Sequence, residues 1–250
     1  MRKHIVCLAL GFAGLFTGIQ NLLADPFTGF DDILLWAGDG KSATNRAALV
    51  IQWNPPSSPS QSLVWGYGWN VGTRTGWDML MAVQSLDMRL QVVEHPTVTT
   101  AIFGIAYDWL GNGSGFTTGG PMDLGGDESG APNDPGNYYQ EGWYTGFWEY
   151  NVFGGNFTYD IYGGPPDYDY LGQDTYNQAG APDYASVSWF SAPFGPNWRD
   201  LEDGYWDALS FAPGFASEPV QTPLAIPEPT ALGLLLLGVT AYALKRVYRH

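Results

Sequence analysis

The chain reads as a mainly β protein. The expected core is an antiparallel, sandwich-like domain with one packed helix at about residues 76–86, set between an N-terminal signal peptide and a C-terminal transmembrane helix. Three observations predict this. Aromatic side chains make up 16% of the chain, a density that excludes the disordered class and supplies large groups for a core. With 33 Gly and 18 Pro in 250 residues, turns must recur often and the segments between them must be short. Those segments alternate with period two, and only one follows helical spacing.

Residues 47–53, Ala-Ala-Leu-Val-Ile-Gln-Trp, suit a buried strand, and residues 54–60 form a Pro- and Ser-rich loop. Residues 62–69, Ser-Leu-Val-Trp-Gly-Tyr-Gly-Trp, read as the returning strand of a hairpin, with Trp65, Tyr67 and Trp69 on one face. Thr75 and Asp78 stand three apart, as a capping box requires. Trp77, Leu80, Met81, Gln84 and Met88 then give the expected apolar stripe. Strands follow at 89–94 and 98–107. Gly111 to Gly136 is a long irregular loop. Alternating aromatics at 143–161 predict a strand pair turned at Gly154-Gly155-Asn156. A second loop runs from Gly163 to Pro182, a short strand from Val187 to Phe190, and a last turn and strand cover 201–211.

The two ends are unlike the middle. Arg2, Lys3 and His4 precede an apolar run from Ile5 to Ile19, the pattern of a secretory signal peptide, with cleavage expected after Ala24. The only cysteine, Cys7, lies in that segment, so the mature chain has no thiol chemistry. At the other end, 14 apolar residues from Ala231 to Leu244 cover about 21 Å as a helix, against a hydrocarbon core of ~30 Å. Flanking residues can extend the span, and Lys245, Arg246 and Arg249 argue for a cytoplasmic tail. The expected organisation is therefore a signal peptide at 1–24, a β-rich extracytoplasmic domain at 25–211, a Pro-rich stalk at 212–226 and a terminal segment at 227–250.

That terminal segment resembles the PEP-CTERM sorting signal of Gram-negative bacteria. The residues that carry the likeness are Pro227-Glu228-Pro229, the Leu- and Gly-rich span 231–244 and the basic tail 245–250. The resemblance implies recognition of Pro227, Glu228 and Pro229 by an exosortase, a membrane-embedded processing protease. It further implies export by the Sec machinery and signal peptidase, an inner-membrane-anchored precursor, and delivery to the cell surface or an exopolysaccharide matrix. The closing Asp203-Gly204-Tyr205-Trp206-Asp207 with Ser210-Phe211-Ala212-Pro213 is similar to the ends of other uncharacterised secreted proteins bearing this signal. That likeness implies no activity.

Charge and residue type restrict the chemistry. Between residues 25 and 226 five basic side chains face 24 acidic ones, a net of −19, which excludes nucleic acid as a partner. His95 is the only histidine there and no cysteine accompanies it, so zinc sites and Ser-His-Asp triads are poorly served. Glycosidase chemistry needs two carboxylates in an aromatic cleft, for which Glu141, Glu149 and Asp160 are the available residues. Calcium is the one cofactor the sequence could hold. Asp123, Asp127, Glu128 and Asp134 place hard oxygen ligands on a Gly-rich loop, and Asp167-Tyr168-Asp169 is a second grouping. Trp65, Tyr67, Trp69, Trp143 and Trp148 are either core or a platform for a glycan or small ligand. The reading that results is a non-enzymatic surface or matrix protein, with a glycan-binding module as the alternative and a carboxylate hydrolase as the third.

Overall fold

The computed structural model describes residues 27–55, 60–98, 100–109, 111–121, 124–160 and 173–226. The expected signal peptide, sorting signal, transmembrane span and basic tail lie outside these residues, as do Asp123 and Asp167–Asp169. Among the described residues no helix is long and apolar enough to cross a membrane.

In chain order the strands are β1 (Trp36–Gly38), β2 (Asn45–Trp53) and β3 (Gln61–Trp69). The helix α1 (Gly76–Leu86) follows, then β4 (Leu90–Glu94), β5 (Ile102–Tyr107), β6 (Phe116–Thr117), β7 (Ala131–Pro132) and β8 (Tyr138–Glu141). The chain continues with β9 (Gly146–Phe153), β10 (Gly155–Asp160), β11 (Gln173–Gln178), β12 (Phe190–Ser191), β13 (Tyr205–Pro213) and β14 (Leu224–Ala225). The mainly β expectation with one helix holds for these residues. The largest sheet has seven strands and is mixed rather than purely antiparallel. The β2–β3 hairpin pairs antiparallel from Asn45↔Trp69 to Trp53↔Gln61. β13 then inserts between β2, to which it is parallel, and β9, to which it is antiparallel. β12 lies on the far edge of β9. On the free edge of β3, β1 and β14 both run parallel to it, β1 against Gly66–Gly68 and β14 against Leu63–Val64.

Both faces of this sheet are covered, which is why β2, β3 and β13 are buried almost throughout. Successive side chains point to opposite faces. Leu49, Ile51, Trp53, Leu63, Trp65 and Tyr67 therefore meet Met79, Leu80 and Val83 of α1 and Leu90, Ile105 and Tyr107 of the three-stranded sheet β4–β5–β8. Ala48, Val50, Val64, Trp206 and Ala208 meet Phe30 and Ile33 on the other side. Gly66 is required here, because the Trp36 indole occupies the place where a Cβ would stand.

Three expectations need correction. The stripe of α1 is broader than expected and shorter: Gly76, Met79, Leu80 and Val83 are buried, Trp77 and Met81 pack partly buried against the same cluster, and Met88 is 82% exposed and lies beyond the helix. The aromatic segments 146–153 and 155–160 do not pair with each other. Gly154 (φ 86°) and Gly155 (φ 119°) turn the chain so that β10 leaves the large sheet and pairs with β11. Residues 212–226 do not project as a stalk. Gln221 N–H donates to Gln52 Oε1 (2.6 Å), Gln52 Nε2 donates to the Pro219 carbonyl (3.0 Å), β14 joins the sheet, and Ile226 is fully buried.

Candidate functional site

The Gly-rich loop was the expected calcium site, and the structure uses its acids otherwise. Both oxygens of Glu128 are occupied: Oε1 accepts from the backbone N–H of Trp143 (2.8 Å) and Tyr144 (3.0 Å), and Oε2 from the N–H (3.0 Å) and hydroxyl (2.7 Å) of Thr145. Partial burial pushes the Glu128 carboxyl up, but these hydrogen bonds outweigh it and hold its pKa below the ordinary value. Asp134 accepts from Gly136 N–H (2.8 Å) and Asn112 Nδ2 (3.2 Å), and Asp127 caps Ser129 N–H (3.2 Å). Glu128 fastens a distant turn, Asp134 ties its own turn to Asn112, and Asp127 holds its own turn. Among the described residues no three acid, histidine or cysteine side chains converge as a metal ligand set. The loop is instead organised by a hub outside it, at the end of β8. Glu141 is buried and accepts from Gly119 N–H (2.9 Å), Gly130 N–H (2.5 Å) and the Tyr139 hydroxyl. It staples the two arms of the loop beside the β6–β7 pair.

Of the hydrolase candidates, Glu141 and Glu149 are likewise engaged. Glu149 Oε1 accepts from Ser191 Oγ (2.7 Å) and Ser217 Oγ (3.0 Å), while Glu141 holds the loop as described. Asp160 ends β10 opposite Gln173. His95 is buried against Trp143, with ring centroids 4.6 Å apart, and its Nδ1 accepts from Thr97 and Val98 N–H at 3.3 Å. It closes the turn between β4 and β5.

The aromatic candidates are core. Trp65 is completely buried and its Nε1 donates to Asp87 Oδ2 (3.1 Å). Tyr67 stacks on Trp69 at 5.6 Å, and Trp148 packs edge-on against Trp53 and Phe211. Trp143 is half-buried. Their periodicity expresses the packed face of a sheet, so the expected ligand platform is absent at Trp65, Tyr67, Trp69 and Trp148.

Two buried ion pairs, which local sequence patterns do not reveal, organise the domain around α1. At the helix N-terminus Arg199 Nε donates to Asp207 Oδ1 (3.0 Å), Arg199 Nη2 donates to the Phe153 carbonyl (3.0 Å), and the Tyr150 hydroxyl donates to Asp207 Oδ2. Gly76, the first helical residue, lies directly over this cluster, so close that a Cβ would come within 2.6 Å of Asp207 Oδ2. Complete burial raises the Asp207 pKa, with Arg199 and Tyr150 opposing the shift. Burial, reinforced by Asp207, holds the Tyr150 phenol well above its ordinary value. At the other end Asp87 caps the C-terminus, where a carboxylate alone would oppose the helix dipole. It is gripped in a fork by Arg89 (2.7 and 3.0 Å) and accepts from Trp65 and the Tyr107 hydroxyl (3.2 Å). Of five basic side chains in residues 25–226, two are thus spent on buried pairs. That scarcity is the one trace these clusters leave in the composition. Both pairs are buried, and both position the helix.

No family model, curated protein or solved structure matches the chain.

Two surface features remain. Trp198 is 78% exposed on the short turn Pro196–Trp198, which packs against α1 and is fixed by the locked Arg199 that follows it. A groove of about 420 Å³ between α1 and β4 is lined by Gln84, Ser85, Met88, Leu90, Gln91 and Val92, with no titratable side chain among them. Sequence alternation passed over Trp198 because it belongs to no strand.

Proposed function

We propose that the protein is an exported, surface-sorted component of the cell envelope or exopolysaccharide matrix, with a structural or binding role and no catalysis of its own. The observation that carries this reading is the contiguous C-terminal arrangement: Pro227-Glu228-Pro229, the apolar span 231–244 and the basic tail 245–250, behind an N-terminal export signal. An exosortase is the processing partner, with Sec and signal peptidase acting earlier. The membrane holds the precursor through the C-terminal span. The disposition of the acids supports the non-catalytic part, because Glu128, Glu141, Glu149 and Asp207 are each engaged in holding the fold. The test is replacement of Pro227, Glu228 and Pro229 by alanine in the native host. An uncleaved precursor should accumulate in the inner membrane, and unchanged C-terminal processing would refute the sorting reading.

A second reading, an extracellular module binding a glycan, is favoured by the exposure of Trp198. An exposed indole on a turn fixed by its neighbours presents an apolar face on which a pyranose ring can stack. The platform moves from Trp65 and Trp148 to this turn. Retention of the purified domain on the producer's polysaccharide should be lost in Trp198→Ala, and equal retention of the two proteins would remove this reading. The same measurement with and without calcium tests whether the Asp127–Asp134 loop takes part.

A further inference from the structure

We infer that Phe215 carries a second glycan platform, and that this platform and Trp198 together make the domain a bivalent cross-linker of polysaccharide chains. The inference rests on the glycan-binding reading above and extends it. Its own basis is backbone strain. Phe215 has φ 62°, in the left-handed region where a bulky side chain is an outlier. Burial does not offset that conformation, because 56% of Phe215 is exposed. Its ring stacks on half-buried Phe147, with centroids 6.0 Å apart and planes 26° apart. The surroundings enforce the conformation. Gly214 N–H donates to the Thr145 carbonyl (2.8 Å), Phe215 N–H to the Ala212 carbonyl (3.3 Å) and Ala216 N–H to the Pro213 carbonyl (3.2 Å). Ser217 Oγ donates to buried Glu149 (3.0 Å). The adjoining turn is fixed by Glu128, itself left-handed at φ 48°, whose carboxylate accepts from the amides of residues 143–145. Tyr144, 50% exposed, sits on that turn. Two of the three left-handed non-glycine residues among the described residues thus hold one aromatic corner. Strain that the fold enforces and burial does not offset is the mark of a functional position.

Phe147, Phe215 and Tyr144 offer flat apolar rings and a phenolic hydroxyl. A pyranose can stack its C–H face on the first and hydrogen-bond through the second. Three rings fall well short of the surface that a stable protein interface buries. A domain with a net charge of −19 repels an anionic polymer, so the ligand class is a neutral polysaccharide. This corner lies far from Trp198. Phe147 is near the start of β9, whereas the carbonyl of Phe153, at its end, accepts from Arg199, the neighbour of Trp198. Residues 147 and 153 are about 20 Å apart along the strand. Phe147 shares a strand face with Phe153 of the second core cluster, while the turn of Trp198 packs on α1, which covers the first. The two platforms therefore sit at opposite ends and on opposite faces of the large sheet. One short sugar cannot reach both, but a polymer can, and two weak contacts then combine into strong retention.

The test uses the protein purified from its host, the producer's polysaccharide as probe and a uronic-acid polymer as control. The native protein should be retained on the first and not on the second, and should draw the producer's polymer into a precipitate. Phe215→Asn removes the ring and leaves a residue that accepts the left-handed backbone. It should lower affinity for the polymer about a hundredfold and abolish precipitation, with an unfolding temperature no lower than native. Phe215→Tyr should behave as native. Native retention or native precipitation by Phe215→Asn would overturn the second platform. So would a lowered unfolding temperature, which would mark the ring as packing. If Trp198→Ala loses retention while Phe215→Asn keeps it, bivalency fails and the glycan reading stands. If the native protein is not retained, the glycan reading fails and the inference falls with it.

Discussion

Replacing Arg199 with methionine should expose how strongly the domain depends on its buried charge. Arg199→Met keeps most of the apolar stem but removes the donors to Asp207 Oδ1 and to the Phe153 carbonyl, both at 3.0 Å. Asp207 has no exposed surface, so water cannot replace the guanidinium. Removing one partner of such a pair costs about 3–5 kcal/mol, a large share of the ~5–15 kcal/mol that stabilises a typical domain. With a urea dependence of about 3 kcal/mol per molar, the unfolding midpoint should fall by roughly 1–1.7 M. Tryptophan fluorescence will follow the transition, since Trp65 and Trp206 are buried in the two core clusters. The loss should depend on pH. Burial already raises the Asp207 pKa, and loss of Arg199 removes the main opposing charge. An acid whose folded pKa is raised binds more protons when folded. Its protonated form therefore supports the fold fully below the unfolded value near 3.9, and that support is lost as pH rises toward the folded value. The variant should be less impaired at pH 4 than at pH 7, and Asp207→Asn in the Arg199→Met background should recover part of the loss. A change below about 1 kcal/mol with no pH dependence would refute the buried-pair account.

Other outcomes follow from the same contacts. Gly76→Ala improves helix propensity but drives a methyl group into Tyr150 and Asp207, so it should destabilise by about 1–3 kcal/mol in thermal unfolding. Thr75→Ala removes the hydroxyl that accepts Asp78 N–H at 3.1 Å and should cost about 1 kcal/mol in the same assay. Glu128→Ala leaves the amides of residues 143–145 without their acceptor. Hydrogen exchange there should accelerate, with a cost of about 1–2 kcal/mol. Because the folded pKa of Glu128 is lowered, its contribution is complete above the unfolded value near 4.3 and should fade as pH falls through the folded value. Trp198→Ala should change stability by no more than about 0.5 kcal/mol, since its side chain is solvent-facing.

Features built from neighbouring residues were legible in the sequence. The capping box of Thr75 and Asp78 forms as expected, with reciprocal bonds of 2.9 and 3.1 Å. The hairpin of 47–53 with 62–69 forms because its alternation and intervening Pro-rich loop are local. Long-range order was not legible. Nothing in the alternation of residues 205–213 says that this strand slots between β2 and β9, more than 50 residues away from either. The same blindness hid which tryptophans are buried and which are exposed. Trp65 in a core and a tryptophan on a sugar platform share one local pattern, and only the cover supplied by α1 and β5 distinguishes them. The proline content of 212–226 suggested a spacer, yet the polar side chain of Gln52, buried on a distant strand, captures that segment.

The most direct test of the sorting account is the intact mass of the protein recovered from the cell surface or medium of its host. The account predicts a chain that begins after Ala24 and lacks the apolar span 231–244 and basic tail 245–250, with β14 retained. A surface protein that still carries residues 231–250, or a chain confined to the cytoplasm with residues 1–24 intact, would contradict it.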